Sequence, residues 1–147
     1  MNNPEIVIVE DNYNDVEMIT DALNELKINK KVCILRDGVE AIKYFFNSAG
    51  GLNLNISALP KLVLLDLKLP KIDGLEVLKK IRGDERTKLL PVVILTSSAE
   101  QSDVVNGYSL GANSYVRKPV EFNQFVEAMR HLGLYWLLWN EPPPVGK

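Results

Sequence analysis

With 147 residues the chain fits one compact α/β domain with little left over, and 46% apolar residues suffice for a continuous core. A formal net charge of −2 gives no pull toward nucleic acid or an anionic membrane, and the single cysteine, Cys33, excludes an internal disulfide and suits a reducing cytosol. No apolar run approaches the ~20 residues of a membrane span, and Met1-Asn2-Asn3-Pro4-Glu5 lacks the basic and apolar regions of a secretory leader, so a cytoplasmic location is expected.

In chain order, Ile6–Val9 reads as a first strand. Val16, Ile19, Leu23 and Leu26 then form one apolar helical stripe, with Asn14 as the expected N-cap and Glu17 three residues on. Lys31–Leu35 is a second strand, and Val39, Ile42, Phe45 and Phe46 mark a second helix. Asn47–Pro60, rich in Asn, Gly and Ser and without a period, reads as a mobile surface loop. A third strand, Leu62–Leu65, is followed by an Asp73-Gly74 turn and a helix carrying Leu75, Leu78 and Ile81. After a fourth strand, Val92–Leu95, the segment Ser102–Ser109 is the weakest helix, because Asn106, Gly107 and Ser109 are poor helix formers. Ser114–Val116 is the fifth strand, and Phe122, Phe125, Val126 and Met129 start a long last helix.

The strands are nearly continuous in Val, Ile and Leu, the pattern of parallel strands covered on both faces. Five βα alternations give a doubly wound α/β fold with an open five-stranded parallel sheet. In such sheets the site lies beyond the carboxyl ends of the strands, near the reversal of strand order. Those ends carry Glu10-Asp11, Asp66, Thr96 and Lys118-Pro119. Three clustered carboxylates repel one another and call for a hard, oxygen-seeking cation such as Mg²⁺. Lys118 offers a point charge for a phosphate oxygen and Thr96 a hydroxyl. Asp66 is the natural nucleophile, because carboxylates form acyl phosphates.

Glu10-Asp11, Asp66 with Pro70 and Gly74 behind it, Thr96 and Lys118-Pro119 together resemble the signature of receiver domains in two-component signalling, over roughly residues 5–132. The resemblance implies the CheY-like (flavodoxin-like) strand order 2-1-3-4-5, a receiver over 1–132, and an extension over 133–147. It implies that Asp66 is the phospho-acceptor, that Glu10, Asp11, Asp66 and the backbone carbonyl of Lys68 hold Mg²⁺ (with Mn²⁺ or Ca²⁺ able to substitute), and that Thr96 and Lys118 contact the phosphoryl group. It further implies that Thr96 and Tyr115 switch on activation, Tyr115 swinging inward, and that the bond before Pro119 is cis. Two features depart from the commonest pattern: Glu10 stands where many receivers have Asp, and Lys68 adds a flexible cation two residues after Asp66. With Ser98, Lys68 is expected to shape the access of water to the phospho-aspartate.

Within the family, Val9-Glu10-Asp11-Asn12, the long segment Asn47–Pro60, Leu65-Asp66-Leu67-Lys68-Leu69-Pro70 and the ending Tyr135-Trp136-Leu137-Leu138-Trp139-Asn140-Glu141-Pro142 are similar to the small regulators associated with phytochrome-type kinases. The resemblance therefore implies a histidine kinase, of the phytochrome type, as phosphoryl donor. It implies no enzyme beyond self-catalysed phosphorylation and dephosphorylation.

The apolar pattern runs on past the last helix. Counted from Glu121, a continuous helix would be about 28 Å long and overshoot the sheet. Six consecutive apolar residues, Leu134–Trp139, cannot all face one core. A symmetric homodimer through Leu134, Tyr135, Trp136, Leu138 and Trp139 is expected, against the alternative that the tail folds back on its own domain. Residues 133–147 are too few for a DNA-binding or enzymatic output domain, so output is expected to pass through protein contacts: a downstream effector, a phosphorelay acceptor or the dimer itself. A degenerate receiver that binds without phosphorylation has no need of three clustered acids. A dehalogenase-type hydrolase would want an acid two residues after Asp66, where Lys68 stands. His131, the only histidine, supports no histidine-based centre and reads as a surface residue.

Overall fold

A computed structural model describes residues 4–27, 32–46 and 59–144. Its elements are β1 (Ile6–Val9), α1 (Tyr13–Glu25), β2 (Val32–Leu35), α2 (Gly38–Phe45), β3 (Leu62–Leu65), α3 (Gly74–Arg82), β4 (Val92–Thr96), α4 (Gln101–Ser109), β5 (Ser114–Arg117) and α5 (Phe122–Gly133). The five strands pair in parallel in the order β2-β1-β3-β4-β5. The order in which strands are added therefore reverses between β1 and β3, and the carboxyl ends of these two parallel strands lie side by side at the switch point.

The continuous apolar strands hide a period of two. Val7, Val9, Val63, Leu65, Val92 and Ile94 face one way, into a core closed by Ala41 and Phe45 of α2 and Val77, Leu78 and Ile81 of α3. Ile6, Ile8, Leu62, Leu64, Val93 and Leu95 face the other way, against Ile19 and Leu23 of α1 and Phe125 and Met129 of α5. The central strands β1, β3 and β4 are buried on both faces, so no polar residue is tolerated in them until the strand ends, where the chemistry begins, whereas the edge strands β2 and β5 are only half-buried.

Four helices are capped by side chains: Asn12, Asp37, Asp73 and Glu121 accept backbone N–H bonds from Asp15, Glu40, Glu76 and Gln124. The α1 cap is thus Asn12 and not the expected Asn14, and Leu26 closes the helix as its C-cap. α4 has no side-chain cap bond at Glu100. Gly107, unfavourable for the helix by itself, lets α4 approach the sheet: a Cβ there would stand 2.7 Å from Ile94 Cδ1 and 3.3 Å from Tyr115 Cδ2.

The last helix is not one continuous α-helix. After Gly133 the backbone widens to π-helical winding over Leu134–Trp139, closed by Asn140 N–H donating to the Tyr135 carbonyl at 2.6 Å. That winding turns Leu137 and Trp136 onto the α1/α5 core, while Tyr135, Leu138 and Trp139 face solvent. Fold-back and exposure therefore both occur within six residues. Lys31 and residues 47–58, including most of the expected mobile loop, lie outside the described residues.

Candidate phosphoryl and metal site

β1 and β3 deliver their acids through the sheet ladder itself. Glu10 N–H donates to the Leu35 carbonyl at 2.9 Å, and Asp66 N–H donates to the Val9 carbonyl at 3.0 Å. One carboxylate oxygen from each of Glu10, Asp11 and Asp66 lies within 4.8 Å of the others. Glu10 and Asp66 are buried and Asp11 is exposed, which gives the cluster a closed side and an open mouth. Glu10 also accepts from the Asn12 N–H at 3.0 Å. Gly74 keeps the loop after β3 tight, since a Cβ there would collide with the backbone carbonyl of Asp66.

β5 brings the cation. Lys118 N–H donates to the Thr96 carbonyl at 2.7 Å, continuing the strand pairing past Arg117. From there the Lys118 ammonium donates to Glu10 at 2.5 Å, Asp15 at 2.7 Å and Asp66 at 3.3 Å, with its side chain 8% exposed. The Lys118–Pro119 bond, expected to be cis, is trans. The ladder bond to Thr96 and the long aliphatic stem aim the ammonium without the less stable isomer.

Burial works against the Lys118 charge, but the hydrogen bonds to Asp15 and Glu10 outweigh it and hold the ammonium protonated. Burial, followed by the Asp66 charge, pushes Glu10 up to about 7, against the lowering effects of Lys118 and the Asn12 N–H. One ammonium thus leaves the acids short of positive charge. All the donors are hard oxygens, so the residues present fit a small divalent cation.

Thr96 is fully buried, and its hydroxyl oxygen accepts from the Ser98 N–H at 3.4 Å. Tyr115 is half-buried, and its hydroxyl donates to the Ser98 carbonyl at 3.0 Å, reaching the loop after β4 from β5. Lys68 approaches Asp66 with its backbone N–H, 3.4 Å from the carboxylate, while its side chain turns to Asp103 of α4 at 3.5 Å.

Two of these residues escaped the sequence reading. Asp15 became visible only with the correct cap: with Asn12 as N-cap, Asp15 sits in the first turn of α1, directed back at the strand ends. Asp103 had no sequence signal beyond being an acid in a weak helix. The remaining residues singled out at the strand ends, Glu10, Asp11, Asp66, Thr96 and Lys118, do converge on one rim.

A doubly wound sheet of order 2-1-3-4-5 with an acidic cluster and a lysine at the switch point is the architecture of a phospho-accepting signalling domain. The chain belongs to the response regulator receiver domain family, whose model matches residues 6–130, and is a two-component signalling receiver rather than a classical enzyme. It is 40% identical over 138 residues to the probable methanogenesis regulatory protein FilR2 of Methanothrix harundinacea, covering 94% of this chain and 86% of that protein. Response regulator Rcp1 of Synechocystis is 35% identical over 132 residues, 90% of this chain and 88% of Rcp1. The fold matches the crystal structure of the phosphorylated cyanobacterial phytochrome response regulator RcpA with a TM-score of 0.85 at 34% identity, covering 97% and 99% of the two chains. It matches the Mn²⁺-bound form of Rcp1 with a TM-score of 0.82 at 30% identity, covering 96% and 100%. The likeness to phytochrome-associated regulators extends over the whole fold.

Proposed function

We propose that the protein accepts a phosphoryl group on Asp66 from a histidine kinase, of the phytochrome type, in the presence of Mg²⁺. The observation that carries this reading is the convergence of Glu10, Asp11 and Asp66 within 4.8 Å, with the Lys118 ammonium 3.3 Å from Asp66. In the transfer, an Asp66 oxygen forms a P–O bond as the P–N bond of the phosphohistidine breaks, and the departing imidazole nitrogen takes up a proton. Lys118 leans on a developing equatorial charge, and the Thr96 hydroxyl can turn from its Ser98 contact to donate to a phosphoryl oxygen. Glu10, Asp11, Asp66 and the Lys68 carbonyl would hold the cation, which supplies positive charge that lets three acids and a phosphate share one pocket. Mn²⁺ or Ca²⁺ would serve in the same donor set. Thr96 and Tyr115, joined through Ser98, carry the change toward α4 and β5.

The phosphoprotein then signals in the cytoplasm by protein contacts. Residues 133–147 form a separate functional element: Tyr135, Leu138 (67% exposed) and Trp139 (80% exposed) offer an apolar face for a homodimer, flanked by half-buried Leu134, whereas half-buried Trp136 packs against the protein's own core. Val105 and Tyr108 add exposed apolar surface on α4. Intact-mass analysis after acetyl phosphate and Mg²⁺ tests the chemistry. Wild type gains one phosphoryl group, Asp66→Asn gains none, and equal gain by both overturns the reading.

A further inference from the structure

The two lysines of the site are held in opposite ways. Lys118 is 8% exposed and shared among three acids. Lys68 has a side chain 63% exposed, and its ammonium pairs across 3.5 Å with Asp103 in the first turn of α4. Asp103 is only 14% exposed, and the same oxygen accepts from the Ser98 hydroxyl at 2.5 Å. Ser98 in turn accepts the Tyr115 hydroxyl on its carbonyl. Lys68, Asp103, Leu67, Leu69, Asp73 and Leu75 line a groove of about 410 Å³ beside the site. The backbone N–H of Lys68 already touches Asp66 at 3.4 Å, so the flexible side chain starts beside the acceptor and leads away from it.

We propose that Asp103 is a positioning residue for the phosphoryl site. It holds the Lys68 ammonium on α4 while Asp66 is unmodified and yields it when Asp66 carries a phosphoryl group, which unties the first turn of α4. The inference rests on Asp66 being the acceptor. A pair at 3.5 Å whose lysine is largely in solvent is weak, screened and readily exchanged. Phosphorylation turns a single negative charge into roughly two, with oxygens projecting toward the rim. Lys118 is buried at Asp66 before and after the transfer, so its place does not change, whereas the exposed Lys68 side chain is the cation that can exchange partners and follow the new charge. When it leaves, Asp103 keeps the Ser98 hydroxyl, and α4 has no side-chain cap at Glu100 to compensate.

A double-mutant cycle on the full chain tests this, reading the rate of phosphorylation by acetyl phosphate across donor concentrations by intact mass. Asp103→Asn keeps an acceptor for Ser98 but drops the charge, freeing Lys68 toward the incoming anion. The rate should rise about two- to fivefold at low salt, the exchange value of one exposed ion pair, and the gain should shrink at high salt. In a Lys68→Ala background Asp103→Asn should change the rate by less than about 1.5-fold, since the pair energy is then already absent. Equal gains in both backgrounds, or no gain in either, overturn the proposal. A second readout is hydrogen exchange over Gln101–Ser109: phosphorylation should speed it more in wild type than in Lys68→Ala, where only the Thr96–Ser98–Tyr115 link remains, and equal or greater speeding in Lys68→Ala also overturns the proposal. If folded wild type takes up no phosphoryl group at all, the acceptor reading itself has failed.

Discussion

Removing divalent cations and raising the pH should destabilise this protein through Glu10. Its carboxyl is pushed up from the ordinary 4.5 to about 7, chiefly by burial and then by the Asp66 charge. A group whose proton affinity is raised by folding contributes stability that is complete below its unfolded pKa and lost as pH climbs through the folded one. The contribution is therefore full near pH 4.5 and gone above about 7. A rise of this size is worth at most on the order of 3 kcal/mol, at about 1.4 kcal/mol per unit. Lys118 does not oppose this trend: its affinity is also raised, so its contribution is present throughout the window and is lost only at strongly alkaline pH. Urea unfolding in EDTA at pH 5, 6, 7 and 8 should show free energies falling by about 1–3 kcal/mol and then levelling. Glu10→Gln should flatten the slope, and Mg²⁺ should restore stability most at pH 8, where the cation meets ionised ligands. A metal-free wild type whose stability stays level or rises from pH 5 to 7 would refute the reasoning, as would an unchanged slope in Glu10→Gln.

Gly74→Ala would drive a Cβ into the Asp66 carbonyl and should cost about 1–3 kcal/mol in chemical denaturation while weakening Mn²⁺ binding. Arg82 donates to the Gly111 and Leu90 carbonyls and to Asn113 Oδ1 at 2.7–2.9 Å, so Arg82→Met should lower unfolding free energy by about 1–3 kcal/mol with phosphorylation by acetyl phosphate retained. If the proposed homodimer forms through this face, Leu138→Ser with Trp139→Ser should abolish it in sedimentation while shifting monomer stability by less than about 0.5 kcal/mol, because both side chains face solvent. A dimer that survives this pair would move the interface elsewhere.

The sheet and the rim were legible because they rest on strong local rules. Runs such as Leu62–Leu65, too short for a buried helix and repeated between helical stripes, fit the middle of a parallel sheet, and the first polar residue after each run then stands at its end. What sequence could not yield depends on side chains meeting across elements. Asn12 and Asn14 are both competent caps, and the choice of Asn12 follows from how soon α1 must turn back over β1, which also decides that Asp15 meets Lys118. The π-winding after Gly133 has no period signature of its own, yet it decides which of Leu134–Trp139 face the core. The trans bond before Pro119 was missed because the family pattern outweighed the intrinsic preference for trans.

The distribution of caps carries one more argument. α1, α2, α3 and α5 each begin on a side chain that satisfies a backbone N–H, whereas α4 begins on Glu100 without one and buries only Gly107 fully. Gly107 brings close approach but almost no apolar area, so α4 gains little from hydrophobic burial. Its attachment is mainly polar: Ser98 to Asp103, Tyr108 hydroxyl accepting from the Tyr115 N–H at 3.2 Å, and the Lys68 pair. Polar links of this kind are modest in energy and sensitive to nearby charge, unlike the apolar contacts that fix the other helices. A new dianion at Asp66 would therefore be felt first in α4, next to the exposed Val105 and Tyr108, and least in the sheet that holds the acids in place. Hydrogen exchange should rank α4 as the least protected helix before any phosphorylation, and protection of α4 equal to that of α3 would break the link between its missing cap and its role as the responding element.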